Sequence, residues 1–276
     1  MVDLSEGTVA QLDATLVVKL GYRGADFSGF AEQKEDVRTV AEELRRAIEI
    51  LLRRPVEMTC AGRTDAGVHA IGQYVSVPVA QAELSADGQR FFRSLAAIVP
   101  DDISIYGVYK APEGFSARFD AIARHYRYRI CAGNARPVLA WGHAWWHRAP
   151  LDVAAMCEGS RHLLGEHDFK SFCKASSAVG KPTRRCVTSI DVCEVEECGE
   201  RLIAVDVCGN AFLHSMVRTM VGTLVEVGRG HRNPAWVAEV LDACDRRAAG
   251  ACAPAKGLTF QGVDYPAGSF EEWCRA

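Results

Sequence analysis

Twice along this chain, a stretch of alternating β-type residues gives way to helical spacing, then to two further strands, a second helix and a closing strand. That order constrains the fold more than any single residue does, because a β-α-β-β-α-β succession is a split βαβ unit with helices crossing an open sheet. In the first half, "ATLVVKLGY" from Ala14 alternates and is β-branched. "RTVAEELRRAIEILLRRP" follows, with Thr39 and Glu42 at capping-box spacing, Val40, Leu44, Ala47, Ile48 and Leu51 at helical spacing, and Pro55 as the stop. "VEMTCAG" and "QYVSVPV" read as strands, residues 87–98 as a second helix and "ISIYGVYK" as a fourth strand.

The second half repeats the pattern without repeating the residues. "RHYRYRIC" reads as a strand and "LDVAAMCEGSRHLL" as a helix, while "RCVTSIDVCEVEE" and "RLIAVDVCG" form a hairpin around Cys198-Gly199-Glu200. "FLHSMVRTMVGTLVEV" is a helix, an extra helix begins at Asn233-Pro234, and "GLTFQGVDY" is the last strand. The expected class is therefore α+β: two domains of related β-α-β-β-α-β topology, 1–115 and 116–276, with antiparallel or mixed sheets flanking a central cleft. Open sheets of this kind can meet edge to edge and leave a groove, where binding sites preferentially form.

At 276 residues, 49% of them hydrophobic, the chain is long enough for two such cores. No apolar run approaches the roughly 18 residues of a membrane span, and the opening "MVDLSEGTVAQLD" lacks the basic-then-apolar layout of a secretory signal. A cytoplasmic protein without membrane attachment is expected. Eleven cysteines, an odd number without a CxxC pair, fit a reducing compartment. Cys173, Cys186, Cys193, Cys198 and Cys208, with His167 nearby, lack zinc-ribbon spacing, so no metal is expected. A net charge of −3 does not advertise nucleic-acid binding, and what counts is whether basic residues are segregated. Arg118, Arg124, Arg127 and Arg129 form one candidate cluster and Lys181, Arg184 and Arg185 another; each also fits a solvated face.

The chemistry concentrates in "CAGRTDAGVHA". In an extended segment Arg63 and Asp65 point to one face, and a neighbouring guanidinium favours the ionised carboxylate, which suits a nucleophile better than a general acid. Gly62 and Gly67 permit close approach of a ligand to the backbone. An Asx-turn with Arg63 paired at the surface fits the same spacing. In "RHYRYRI", Arg124, Tyr126 and Tyr128 share one face and His125, Arg127 and Arg129 the other, either a platform for stacking unpaired bases or tyrosines packed in a core. Arg218 lies at the edge of its helix's apolar arc, one turn after His214, and needs an anionic partner, structural or functional. Nucleotide-binding and nucleophile-elbow motifs are absent, so no cofactor is expected. One carboxylate acting without a cofactor leaves hydrolysis, isomerisation or group transfer.

"AGRTDAGVHA" resembles the signature of the tRNA pseudouridine synthase A family, and "GYRGADFSGF", "FSARFDAIARHYRYRI", "LLGEHDFKSF", "GNAFLHSMVRTMVGTLVEVGRG" and "PAKGLTFQGVDYP" extend the resemblance in order over nearly the whole chain. The resemblance implies an RNA-binding cleft between two α+β domains, a homodimer, no cofactor, and conversion of uridine to pseudouridine at positions 38, 39 and 40 of the tRNA anticodon arm. By position it makes Asp65 the catalytic aspartate and Arg63 the arginine that helps displace the target base. It makes Tyr126 the tyrosine packed on the uracil, Arg218 the partner of the carboxylate and Leu258 an apolar wall. The family's first segment continues Tyr-Asp-Gly and ends Gly-Trp-Gln-x-Gln, whereas Tyr22-Arg23-Gly24 and Gly29-Phe30-Ala31-Glu32-Gln33 stand here. Both departures lie outside the catalytic set, and Arg23 is a candidate phosphate contact in place of the lost aspartate. A non-catalytic RNA binder using the sheets as a stacking platform is the competing expectation.

Overall fold

The computed structural model describes residues 11–33, 37–85 and 87–276. The opening stretch read for a signal layout therefore lies mostly outside the described residues. Strands β1 (Ala14–Tyr22), β2 (Thr59–Cys60), β3 (His69–Val79) and β4 (Ile103–Pro112) alternate with helices α1 (Val40–Leu52) and α2 (Gly88–Ile98). The second half contributes β5 (Ala123–Ala132), β6 (Trp145–His147), α3 (Val153–Ser160), β7 (Gly165–Asp168), α4 (Ala175–Ala178), β8 (Arg184–Glu197) and β9 (Glu200–Gly209). It closes with α5 (Met216–Gly228), α6 (Trp236–Ala243), β10 (Leu258–Asp264) and β11 (Glu271–Arg275). The chain is α+β, and both halves share one mixed sheet in the order β11-β4-β1-β3-β10-β5-β9-β8-β7, with β2 on β3 and β6 on β5.

Local chemistry explains most of these elements. Thr39 caps α1 by accepting from the Glu42 N–H, and Val40, Leu44, Ala47 and Ile48 bury the helix's apolar stripe. Cys198 and Gly199 have φ of 53° and 76°, the two left-handed residues of a type I′ hairpin turn between β8 and β9. Three expectations differ from the structure. The strand "VEMTCAG" shortens to Thr59–Cys60, because Ala61 turns into the loop. The helix expected from Phe212 begins at Met216, because Ser215 takes a left-handed φ of 60°. And "GLTFQGVDY" is not the last strand: after Tyr265, Phe270 packs on Tyr74 and Tyr109, carrying the chain back to lay β11 on β4.

The joint between the halves positions the site. β1 occupies one edge of β3 along most of its length. The other edge is shared: β10 runs parallel to it at His69 and Ala70, and β2 antiparallel at Val75 and Ser76. The connection from β2 to β3, residues 61–68, therefore emerges where the two half-sheets meet. β10 also pairs with β5, setting Leu258 opposite Tyr128 and Phe260 opposite Tyr126.

Candidate active site

The loop 61–68 is fixed at almost every residue. Gln73, fully buried, clamps Gly62 from both sides, its Nε2 donating to the Gly62 carbonyl at 2.6 Å and its Oε1 accepting from the Gly62 N–H at 3.3 Å. The Thr64 hydroxyl shares a 2.7 Å hydrogen bond with that of Tyr22, and the Thr64 carbonyl accepts from the Phe30 N–H. The Asp65 carbonyl accepts from the Val68 N–H, closing a turn in which Gly67 takes a φ of +77° that favours glycine.

The Asp65 carboxylate faces the lead-in to α5. Its Oδ2 accepts from Arg218 Nη1 at 2.8 Å and from Ser215 Oγ at 2.9 Å, and its Oδ1 lies 3.3 Å from His214 Nε2. The left-handed turn at Ser215 aims that hydroxyl at Asp65 rather than at the start of its own helix, where it caps nothing. Arg218 is aligned in turn by its Nε, which donates to the Ala253 carbonyl at 2.8 Å. Segment 249–253 reaches that place by crossing α5 at contact distance. A Cβ at Gly222 would lie 1.7 Å from the Ala251 carbonyl oxygen, and the Gly250 N–H donates to Thr223 Oγ1. About a fifth of the Asp65 and Arg218 side chains is exposed (21% and 18%), enough to face a ligand while keeping the pair largely out of water.

Tyr126 stands beside this carboxylate, 8% exposed, with its ring edge-on to Phe212 at 5.1 Å and tilted on Phe260 at 4.9 Å. Burial pushes its phenol well above the ordinary tyrosine range, and the Asp65 charge pushes the same way, so the hydroxyl stays neutral. A Cβ at Gly62 would lie 3.4 Å from the Phe260 ring and 3.6 Å from the Tyr126 hydroxyl, ordinary contact distances that place the loop directly against both rings. Leu258, 6% exposed, opens β10 two positions from Phe260. Tyr128 is core: it donates to the Pro254 carbonyl and lies under Gly257, where a Cβ would sit 2.5 Å from its ring. The sheet face is thus covered, not an open stacking platform.

Of the five residues singled out from the sequence, Asp65 and Arg218 meet directly and Tyr126 lines the same place. Leu258 opens β10 opposite the core residue Tyr128 and is not shown to meet Asp65. Arg63 does not pair with Asp65: it is exposed and forms no ion pair or hydrogen bond among the described residues. The expected basic cluster on β5 dissolves as well. Arg127 is paired with Asp206 and Glu197, and Arg129 with Glu197. Arg124 is buried and donates only to backbone carbonyls, those of Ala61, Arg118, Ala121 and Asn210. Its guanidinium therefore ties the loop's base to the segment entering β5 and to the turn after β9; burial pulls its pKa down. Sequence reasoning missed Gln73, Ser215 and the tethering by Arg124. Only Ser215 left a trace, as a cap-type residue before an apolar helix.

A carboxylate held by arginine and serine beside a buried tyrosine, on a mixed sheet, has the ionised, oriented oxygen that nucleophilic catalysis requires. Residues 21–120 and 160–266 match a family model described as tRNA pseudouridine synthase, and the chain belongs to that family. It is 41% identical over 254 residues to the tRNA pseudouridine synthase A of Streptomyces avermitilis, covering 90% of this chain and 87% of the relative. It is 43% identical over 246 residues to that of Brevibacillus brevis (89% and 97% covered) and 42% over 245 residues to that of Methylobacterium nodulans (89% and 93%).

Proposed function

We propose that this protein isomerises uridine to pseudouridine at positions 38, 39 and 40 of the tRNA anticodon arm, with Asp65 as the nucleophile on a uridine drawn out of its stack. The reaction breaks the bond from N1 of the base to C1′ of the ribose and forms one from C5 to C1′; the C5 proton leaves to solvent and N1 takes one up. A carboxylate nucleophile divides this exchange into two easier steps, and a walled pocket keeps the detached base from escaping while it turns. Tyr126 packs on the uracil, Leu258 walls the pocket, Arg218 holds the carboxylate in line, and Arg63 helps displace the target base.

The observation that carries this reading is the Asp65–Arg218 pair at 2.8 Å beside the Tyr126 ring, within a chain of this family. A carboxylate facing a polyanion costs binding energy, so a pure RNA binder gains nothing from keeping it there. The enzyme works as a cytoplasmic homodimer, and eleven free cysteines suit a reducing compartment. Mapping pseudouridine in unmodified tRNA after incubation tests the position assignment: new product at 38, 39 and 40 is expected, and product confined to other positions contradicts it. Light scattering showing a concentration-independent monomer would remove the dimer.

A further inference from the structure

Segment 116–120, between β4 and β5, is a small turn held from every side. The Ser116 N–H donates to Asp120 Oδ2 at 2.7 Å, and the Asp120 N–H donates back to the Ser116 carbonyl. Ala117 is fully buried, its N–H on Ser76 Oγ at 3.0 Å and its carbonyl accepting from the Tyr265 hydroxyl at 2.6 Å. The Arg118 carbonyl accepts from Arg124 Nη2, the same nitrogen that donates to the Ala61 carbonyl at 3.3 Å. One guanidinium nitrogen thus spans the turn and the base of the Asp65 loop.

At the tip of this turn Phe119 is 79% exposed. The Arg118 guanidinium lies 5.4 Å from its ring centroid, and Arg118 and Arg63 both act electrostatically on Cys60 at the foot of the loop. Single exposed apolar residues are ordinary on protein surfaces. This one stands on a turn that has already lost its conformational freedom, beside the exposed Arg118 and tied through Arg124 to the base of the loop that carries Arg63 and Asp65. Such preorganisation lowers the cost of binding. An aromatic ring flanked by cations is the arrangement that takes an unpaired base by stacking and its phosphates by charge.

Resting on the tRNA reading above, we propose that Phe119 is a stacking post for an unpaired base neighbouring the target uridine, with Arg118 and Arg63 on the flanking phosphates. Phe119→Ser is expected to raise KM for tRNA about ten- to a hundredfold, with kcat within about twofold and an unchanged melting temperature. Phe119→Trp keeps KM near wild type and adds a fluorescence signal, measured against the five native tryptophans, that is quenched by an anticodon-arm hairpin and not by a fully paired duplex. Arg118→Gln lowers the slope of log affinity against log salt by about 0.7. An unchanged KM in Phe119→Ser, or no quench in Phe119→Trp while RNA is bound, overturns the proposal. Conversion of a dimer to monomers by Phe119→Ser, with RNA affinity kept, also overturns it by making the ring a contact between copies. Absence of pseudouridine with wild type would sink the isomerase reading instead, and the Phe119→Trp quench would still report stacking.

Discussion

The two faces of β5 use the same residue types to opposite ends. On one face Arg124, Tyr126 and Tyr128 are buried, and the polar tips of Arg124 and Tyr128 are handed to backbone carbonyls of other segments. On the other, Arg127 and Arg129 pair with the carboxylates of Asp206 and Glu197, and His125 lies 2.7 Å from Asp264. The first face assembles a site from three stretches of chain, while the second closes its charges among themselves. An arginine's worth therefore depends on what its fork leaves unpaired when removed, not on its charge. Arg63 and Arg118, by contrast, are exposed cations outside β5.

Arg124→Met breaks this contrast most severely. It strands four carbonyls of three segments without their donor, at a cost of about 3–5 kcal/mol in urea unfolding, whereas Arg127→Gln costs under about 1 kcal/mol because its ion pair with Asp206 is a third exposed on each side (33% and 35%). Equal costs would contradict the distinction between the faces. Next in size, Ser215→Ala removes a hydrogen bond to a charged group worth roughly 1.5–3 kcal/mol. It should lower kcat about ten- to a hundredfold with KM nearly unchanged and the melting temperature down by several degrees; a pure KM effect would place Ser215 in binding instead.

The smallest effect is read on a thiol. Burial pushes Cys60, at the foot of the loop, up to about 11, so its thiolate is scarce at pH 8. Alkylation at pH 8 should label exposed Cys193, Cys198 and Cys252 first. The Cys60 rate should climb about tenfold per pH unit up to its own pKa. Labelling of Cys60 at the pace of Cys193 would mean the loop opens far more readily than its clamps imply.

Much of this was legible in the sequence where a short stretch carries its own physics. The capping box marked the start of α1, the Cys198-Gly199-Glu200 turn marked the β8–β9 hairpin, with Glu200 already in β9 in the structure, and alternation along β5 sorted its side chains by face. What escaped depends on distant chain. Alternation tells which side chains share a face but not what covers it, so Arg124 read as a surface cation while four carbonyls converge on it. The carboxylate's partner was ambiguous for the same reason: Arg63 is two residues from Asp65 along the chain, yet Arg218 is the residue in contact, delivered by the turn at Ser215 and the close crossing at Gly222. β11 was invisible because a five-residue strand, Glu271–Arg275, owes its place to the aromatic packing of Phe270 rather than to its own pattern.

If the Asp65 carboxylate, held by Arg218 and Ser215, drives the exchange at C5, its loss should stop the release of the C5 hydrogen. The most direct test is release of tritium from tRNA labelled at uridine C5, with wild type and with Asp65→Asn, alongside the affinity of each for the same tRNA. Wild type should release tritium at the labelled anticodon-arm uridines, and Asp65→Asn should lose at least about 10⁴-fold, as for removal of a nucleophile, with tRNA affinity within a few-fold. Comparable release from both proteins would contradict this role for Asp65.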